Sequence, residues 1–189
     1  GDNTGSGTII FDVQDNQNGT ADITVTVSDS EGGTDSETFI LVVNPVNDVP
    51  ELSAIGNQET DEDTDFSIDL SASDVDMIIH NQNLDFSASS SDGTLVIVST
   101  TSGDNTGSGT ITFDVQDDQN GSADITVTVT DSEGATDSES FTVTVISVND
   151  APVLTSIGDQ LTDEDTDKVI NLSATDVEQI DEGQTLGFS

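Results

Sequence analysis

Acidic side chains gather in a few short stretches: Asp61-Glu62-Asp63, Asp74-Val75-Asp76, Asp117-Asp118, Asp131-Ser132-Glu133 and Asn149-Asp150. Carboxylate and amide oxygens are hard ligands, and a calcium ion takes roughly six to eight of them. Without a cation, clustered carboxylates repel one another at about 1 kcal/mol per close pair in water, and by more where they are partly desolvated. A bound divalent ion is the simplest way to make such clusters favourable.

Other chemistries lack their residues. The chain has 189 residues, with 39 Asp plus Glu against one basic side chain, Lys168, for a formal charge of −38. No basic surface exists to neutralise phosphate, so nucleic acid and anionic membranes are poor partners. There is no Cys, hence no disulfide, thiolate nucleophile or Cys-rich zinc site. His80 is the single histidine, and its counterpart in the repeat described below is Glu182. One His builds neither a transition-metal site nor a triad, so it reads as a loop residue. Paired carboxylates cleave glycosides only in a cleft with aromatic platforms, and Trp and Tyr are absent. Asp118-Gln119-Asn120-Gly121 lacks the terminal Glu of an EF-hand and reads as a turn. Asn18, Asn120 and Asn171 begin Asn-x-Ser/Thr acceptor sequences, which the abundance of Ser and Thr explains by chance. Asp35, Glu37, Asp137 and Glu139 read as solubilising charges on strand edges. No apolar run is long enough to span a bilayer, and Gly1-Asp2-Asn3 opens no targeting signal. The first methionine is Met77, so the chain reads as a piece of a longer polypeptide.

The elements that must position the carboxylates come from the apolar pattern. Hydrophobic residues are 31% of the chain, which with such charge is the composition of disorder. Strict alternation over Ile125–Val129 and Phe141–Val145 argues instead for strands with one buried face. An internal repeat sets the organisation. Gly1–Thr8 recurs as Gly103–Thr110, Val46-Asn47-Asp48 as Val148-Asn149-Asp150, and Asp61–Asp65 as Asp163–Asp167, each displaced by 102 positions without a gap. That length suits a seven-stranded β-sandwich. Pro50 and Pro152 follow the repeated Val-Asn-Asp and mark boundaries. One complete module is expected over 46–150, flanked by the second half of a module (1–45) and the first half of another (151–189). Sheet edges left open in the partial modules invite pairing with another chain.

In the complete module, strands are predicted near Phe66–Leu70, Leu84–Ala88, Thr94–Val98, Gly109–Val115, Ala123–Thr130 and Ser140–Val145, with a short one near Leu52–Ile55 and no helix longer than a turn. The expected core is Phe66, Ile68, Leu70, Leu84, Phe86, Leu95, Ile97, Ile111, Phe113, Val115, Ile125, Val127, Val129, Phe141, Val143 and Val145. Alternate loops of a sandwich fall at opposite ends. Glu62, Asp117, Asp118, Asn149 and Asp150 then collect at the lower end, and Asp74, Asp76 and Asp131 at the upper. In modules stacked head to tail, a lower set faces the next upper set.

The Val-Asn-Asp-x-Pro linker, the early Glu62, the Asp74-Val75-Asp76 pair and Asp131 closing a long strand resemble the cadherin repeat. The likeness extends over the whole chain and is nearest to bacterial cadherin-like repeats in large adhesins secreted by type I systems. It implies an all-β fold of tandem seven-stranded Greek-key sandwiches, cadherin- or Ig-like, with calcium held between successive modules. Carried over, one junction uses Asp15, Asn47 and Asp48 with Asp74, Asp76 and Asp131. The next uses Glu62, Asp117, Asp118, Asn149 and Asp150 with Asp176 and Glu178. The sequence departs from the family where Ile146-Ser147 precede the linker, where Asp117-Asp118 replaces the strict Leu-Asp-Arg-Glu motif, and where Glu178 replaces the second Asp of the pair. These departures imply fewer or weaker ions per junction.

The resulting expectation is a non-catalytic spacer: modules stiffened by calcium into an extracellular rod that serves cell-surface adhesion or biofilm attachment. Its expected partners are neighbouring repeats of the same protein and other copies of itself. Two rivals are a self-assembling extracellular filament completed by strand exchange between chains, and a carbohydrate-binding accessory module. The second needs exposed aromatic residues that the composition does not supply.

Overall fold

The computed structural model describes residues 4–77, 82–101, 106–177 and 185–189. Residues 51–146 form two four-stranded sheets packed face to face. The strands are β3 (Glu51–Leu52), β4 (Gln58–Asp61), β5 (Phe66–Ser73), β6 (Asp85–Ser90), β7 (Val96–Thr101), β8 (Ser108–Val115), β9 (Gly121–Thr130) and β10 (Thr136–Ile146). One sheet runs β4-β10-β9-β6 and the other β3-β5-β8-β7. The chain therefore changes sheets between β3 and β4. β3 pairs antiparallel with β5, whereas β4 lies parallel to β10, Val143 opposite Gln58. The fold is all-β, as predicted, and among the described residues only Asp76 and Met77 are helical.

Alternation drives this arrangement. Along β9, Ala123, Ile125, Val127 and Val129 point inward and are buried, while Thr126, Thr128 and Thr130 face out. Phe141, Val143 and Val145 of β10 do the same. From the opposite sheet come Leu52, Leu70, Ala72, Ile111, Phe113 and Val115. Phe113 stacks on Phe66 at 4.2 Å and meets Phe141 edge-on at 6.2 Å. Outer-face hydroxyls pair across strands, as in Thr126 with Ser140 at 2.9 Å, so the wet face is satisfied without apolar contact.

The structure corrects three expectations. Ile97 is exposed, and Val96 is buried in its place. The Asp92-Gly93-Thr94 turn, in which Asp92 accepts the Thr94 amide and hydroxyl, carries Leu95 inward before the strand starts. The alternation therefore begins one residue later, which inverts the faces. Phe66 and Ile68 are only partly buried, lying against the rim of the core. Asp137 is more than an edge charge: its Oδ2 accepts the Leu52 amide at 2.9 Å and ties β3 to the opposite sheet.

N-terminal to this sandwich, β1 (Gly19–Ser28) and β2 (Thr34–Val43) form an antiparallel hairpin, Gly19 opposite Val43. C-terminal to it, β11 (Val153–Leu154) pairs with β12 (Ala174–Thr175). Displaced by 102 positions, β1 and β2 coincide with β9 and β10, and β11 and β12 with β3 and the end of β5.

Candidate functional site: two carboxylate clusters at the sandwich ends

The upper cluster is built where β5 and β9 end and the linker 44–50 enters. Asp131 closes β9, and its two oxygens divide the work. Oδ1 accepts the amides of Glu133 and Ala135, which folds the β9–β10 turn, with Gly134 in the left-handed region at φ 93°. Oδ2 accepts Asn47 Nδ2 at 2.7 Å, tying the linker to the sandwich. Gln82 Nε2 donates to Asn47 Oδ1 at 2.9 Å, so the linker amide is held on both sides. The Asp48 amide donates to Asp76 Oδ2 at 2.8 Å, and the Asp76 amide to Asp74 Oδ1 at 2.7 Å. Asp76, Gln82 and Asp131 are buried.

This packing brings Asp48, Asp74, Asp76 and Asp131 within electrostatic reach of one another. Burial raises the Asp74 carboxyl above its usual value; the Asp76 amide opposes this, and the charges of Asp76, Asp131 and Asp48 raise it further. Burial also pushes Asp131 up, but hydrogen bonds from Asn47 and the turn amides outweigh it and leave the group lowered. Two oxygens are left over: Asp74 Oδ2 and Gln82 Oε1 are buried and accept no hydrogen bond from the described residues. A buried acceptor without a donor costs about 1–3 kcal/mol. Orphaned oxygens beside several carboxylates fit a hard cation. Asp15 joins from the turn that precedes β1: with Asp48 and Asp76 it lines a cleft of about 570 Å³ between residues 13–18 and the linker.

At the lower end, Asp63, Asp118 and Asp150 each bring a carboxylate oxygen within 4.8 Å of the others. The Asp118 amide donates to Asp63 Oδ1 at 3.0 Å. Both residues hold left-handed backbone, at φ 59° and 57°, which Asp tolerates better than most side chains. Glu62 is buried; its Oε1 accepts the Val148 amide at 2.6 Å and its own amide donates to Ile146. Glu62 therefore straps the outgoing linker rather than joining the three-carboxylate group. Asn149 Nδ2 donates to the Asp150 carbonyl at 2.6 Å. Asp117 is exposed in the same turn and is not a member of the group. Asp176 directly follows β12, as Asp74 follows β5. Glu178 and His80 lie outside the described residues.

Sequence reasoning passed over Asp63 and Gln82. Asp63 left a signal, since it stands within the repeated Asp61–Asp65 stretch. Gln82 left none: only the fold carries it to Asn47.

Residues 47–144, just over half of the chain, match the model of a family described as the bacterial Ig domain. The chain belongs to that family. A comparison with curated proteins gives no significant match. Among solved structures, this bacterial Ig chain is similar to domains 4 and 5 of the S-layer protein SbsC, at 20% identity over 68% of this chain and 58% of that one, TM-score 0.40. It is also similar to cadherin domains 1–4 of protocadherin gamma B7, at 19% identity over 84% of this chain and 41% of that one, TM-score 0.48. A third likeness is to domains 1–3 of mouse clustered protocadherin gamma C3, at 17% identity over 84% and 53% of the two chains, TM-score 0.48. The chain thus spans less than two thirds of each of these structures.

Proposed function

We propose that these bacterial Ig modules are non-catalytic spacers of an extracellular surface protein, with calcium at the upper cluster joining one module to the next. The reading is supported above all by the buried, unpartnered Asp74 Oδ2 among Asp48, Asp76 and Asp131. Asp48 belongs to the linker and Asp74, Asp76 and Asp131 to the sandwich, so one ion bonded to both would fix the angle at which the linker enters. Asn47 and Gln82 hold the linker in place for it, and Asp15 approaches from the turn that precedes β1. The ion would supply the positive charge that this carboxylate set lacks. The lower group of Asp63, Asp118 and Asp150, strapped by Glu62, plays the equivalent part toward Asp176 and Glu178. A rod of such modules suits adhesion or biofilm attachment, because reach depends on the number of modules and on their stiffness. No helix among the described residues is long and apolar enough to cross a membrane.

The test is thermal unfolding followed by circular dichroism, in chelator and then across millimolar calcium. Linkage predicts a stabilisation of about 2.7 kcal/mol when free ion reaches a hundred times its Kd, or several degrees in Tm. A rise with calcium that sodium at equal ionic strength does not match supports the reading. Equal rises would mean that salt merely screens a solvated acidic coat.

A further inference from the structure

Gln82 joins the upper cluster from the segment before β6 and is 4% exposed. Its carboxamide is held in one orientation by a chain of hydrogen bonds that starts at Asp131. A carboxylate only accepts, so the atom that meets Asp131 Oδ2 at 2.7 Å must be the amide nitrogen of Asn47. That turns Asn47 Oδ1 toward Gln82, and the atom that meets it at 2.9 Å must be the donor, Nε2. Gln82 Oε1 is the corner of the amide left over, buried and without a donor among the described residues.

Rotating the amides does not remove the orphan. Turning Gln82 alone sets Oε1 against Asn47 Oδ1, two acceptors face to face. Turning Asn47 as well sets its Oδ1 against Asp131 Oδ2, the same conflict one step further along. A buried polar atom in this state is costly unless something beyond these side chains meets it. Asp74 Oδ2 is the second orphan of the same cluster, and it too is an acceptor. A water molecule would donate to both but leave the charges of Asp48, Asp74, Asp76 and Asp131 uncompensated. A hard cation meets the oxygens and the charge together.

We infer that Gln82 is itself a ligand of the ion proposed for the upper cluster, giving a neutral oxygen to a set otherwise made of carboxylates, and that it biases the site toward calcium over magnesium. The inference rests on the calcium reading of this cluster. Calcium takes about six to eight oxygens in flexible geometry, whereas magnesium demands a tight octahedron and keeps much of its water. A buried carbonyl oxygen raises the number of ligands without adding charge, and the bonds to Asn47 and Asp131 set it in place before an ion arrives. Gln82 thus has two roles: Nε2 fixes the linker through Asn47, and Oε1 binds the ion.

The experiment is a calcium titration of the isotopically labelled 189-residue chain, followed by NMR at the side-chain carbons of Gln82 and Asp74, and repeated with magnesium. Gln82 Cδ and Asp74 Cγ should move together as calcium is added, and respond to magnesium only at higher concentration. An equal response to magnesium overturns the preference. If Asp74 moves and Gln82 does not, the ion binds without Gln82, and the inference fails while the calcium reading stands. If neither moves, both fail. Two variants separate ligation from support of the linker. Gln82→Met keeps the length but has neither the donor nor the carbonyl oxygen, and should weaken calcium binding about tenfold or more at Asp74 Cγ. Gln82→Glu loses the donor to Asn47 but keeps an oxygen, and should bind calcium at least as well as the wild type. Equal weakening in both would mean that Gln82 acts only by holding Asn47, which overturns the inference. Circular dichroism checks that each variant folds; should one not, the wild-type titration still decides.

Discussion

The β1–β2 and β9–β10 hairpins are nearly the same sequence in two surroundings. Ala-Asp-Ile-Thr-Val-Thr-Val occupies 21–27 and 123–129 alike, and both hairpins turn on the same device. Asp29 Oδ1 accepts the Glu31 and Gly33 amides with Gly32 at φ 91°, as Asp131 does with Gly134 at φ 93°. Yet Val129 is 0% exposed and Val27 66%. Strand, turn and register follow from local sequence, whereas burial requires a second sheet. The hairpins also differ on the outer face: Ile40 and Val42 stand where β10 has Thr142 and Thr144, so β2 is apolar on both sides. An isolated two-stranded hairpin is marginally stable in water, so β1–β2 depends on whatever covers it.

The largest effect expected to sharpen this contrast is in the core. Phe113→Ala should cost about 3–5 kcal/mol of unfolding free energy by urea titration. Phe11→Ala, at the equivalent position, should leave that transition within about 0.5 kcal/mol. Equal losses would mean that the hairpin and the sandwich unfold as one unit.

The linker strap comes next. Glu62→Ala removes the acceptor of the Val148 amide and should destabilise the sandwich by about 2 kcal/mol, the scale of a charged hydrogen bond. Glu164→Ala, its exposed counterpart, should move the same melt very little.

Asp74→Asn should act with opposite signs in the two metal states. In chelator it removes a buried like charge and should stabilise by about 1 kcal/mol. With calcium it should abolish most of the ion-dependent rise in Tm. If the variant responds to calcium as the wild type does, Asp74 is not a ligand.

The smallest effect is in pH. The Asp74 carboxyl is raised in the fold, so its charged form opposes folding at neutral pH. That cost fades as pH falls through the folded value toward the unfolded 3.8, so the advantage of Asp74→Asn in chelator should vanish there. Asp131 is lowered, so its contribution is full above 3.8 and is lost as pH falls through the folded value. Melts of the wild type, Asp74→Asn and Asp131→Asn between neutral and acid pH separate the two slopes.

Legibility in the sequence tracked how local each cause was. β9, β10 and their core positions were plain because alternation is a one-strand property. Strand β4 was missed: Gln58-Glu59-Thr60-Asp61 carries no apolar pattern and is a strand because β10 offers it a backbone edge. The slip at Val96 came from the Asp92 turn, whose side-chain hydrogen bonds move the start of the alternation. Asp137 looked like an edge charge because its partner, the Leu52 amide, is far away in sequence.

The sequence by itself determined an all-β chain of repeats, the strands of its core, and the loops in which carboxylates cluster, since periodicity, turn residues and charge act over a few neighbours. Only the tertiary structure decided which oxygens meet. It set Asp63 with Asp118 and Asp150, turned Glu62 into a strap, and brought Gln82 to Asn47. It also left Asp74 Oδ2 buried without a donor. Those outcomes depend on where two sheets cross and how deeply each loop is desolvated, and no local pattern encodes either.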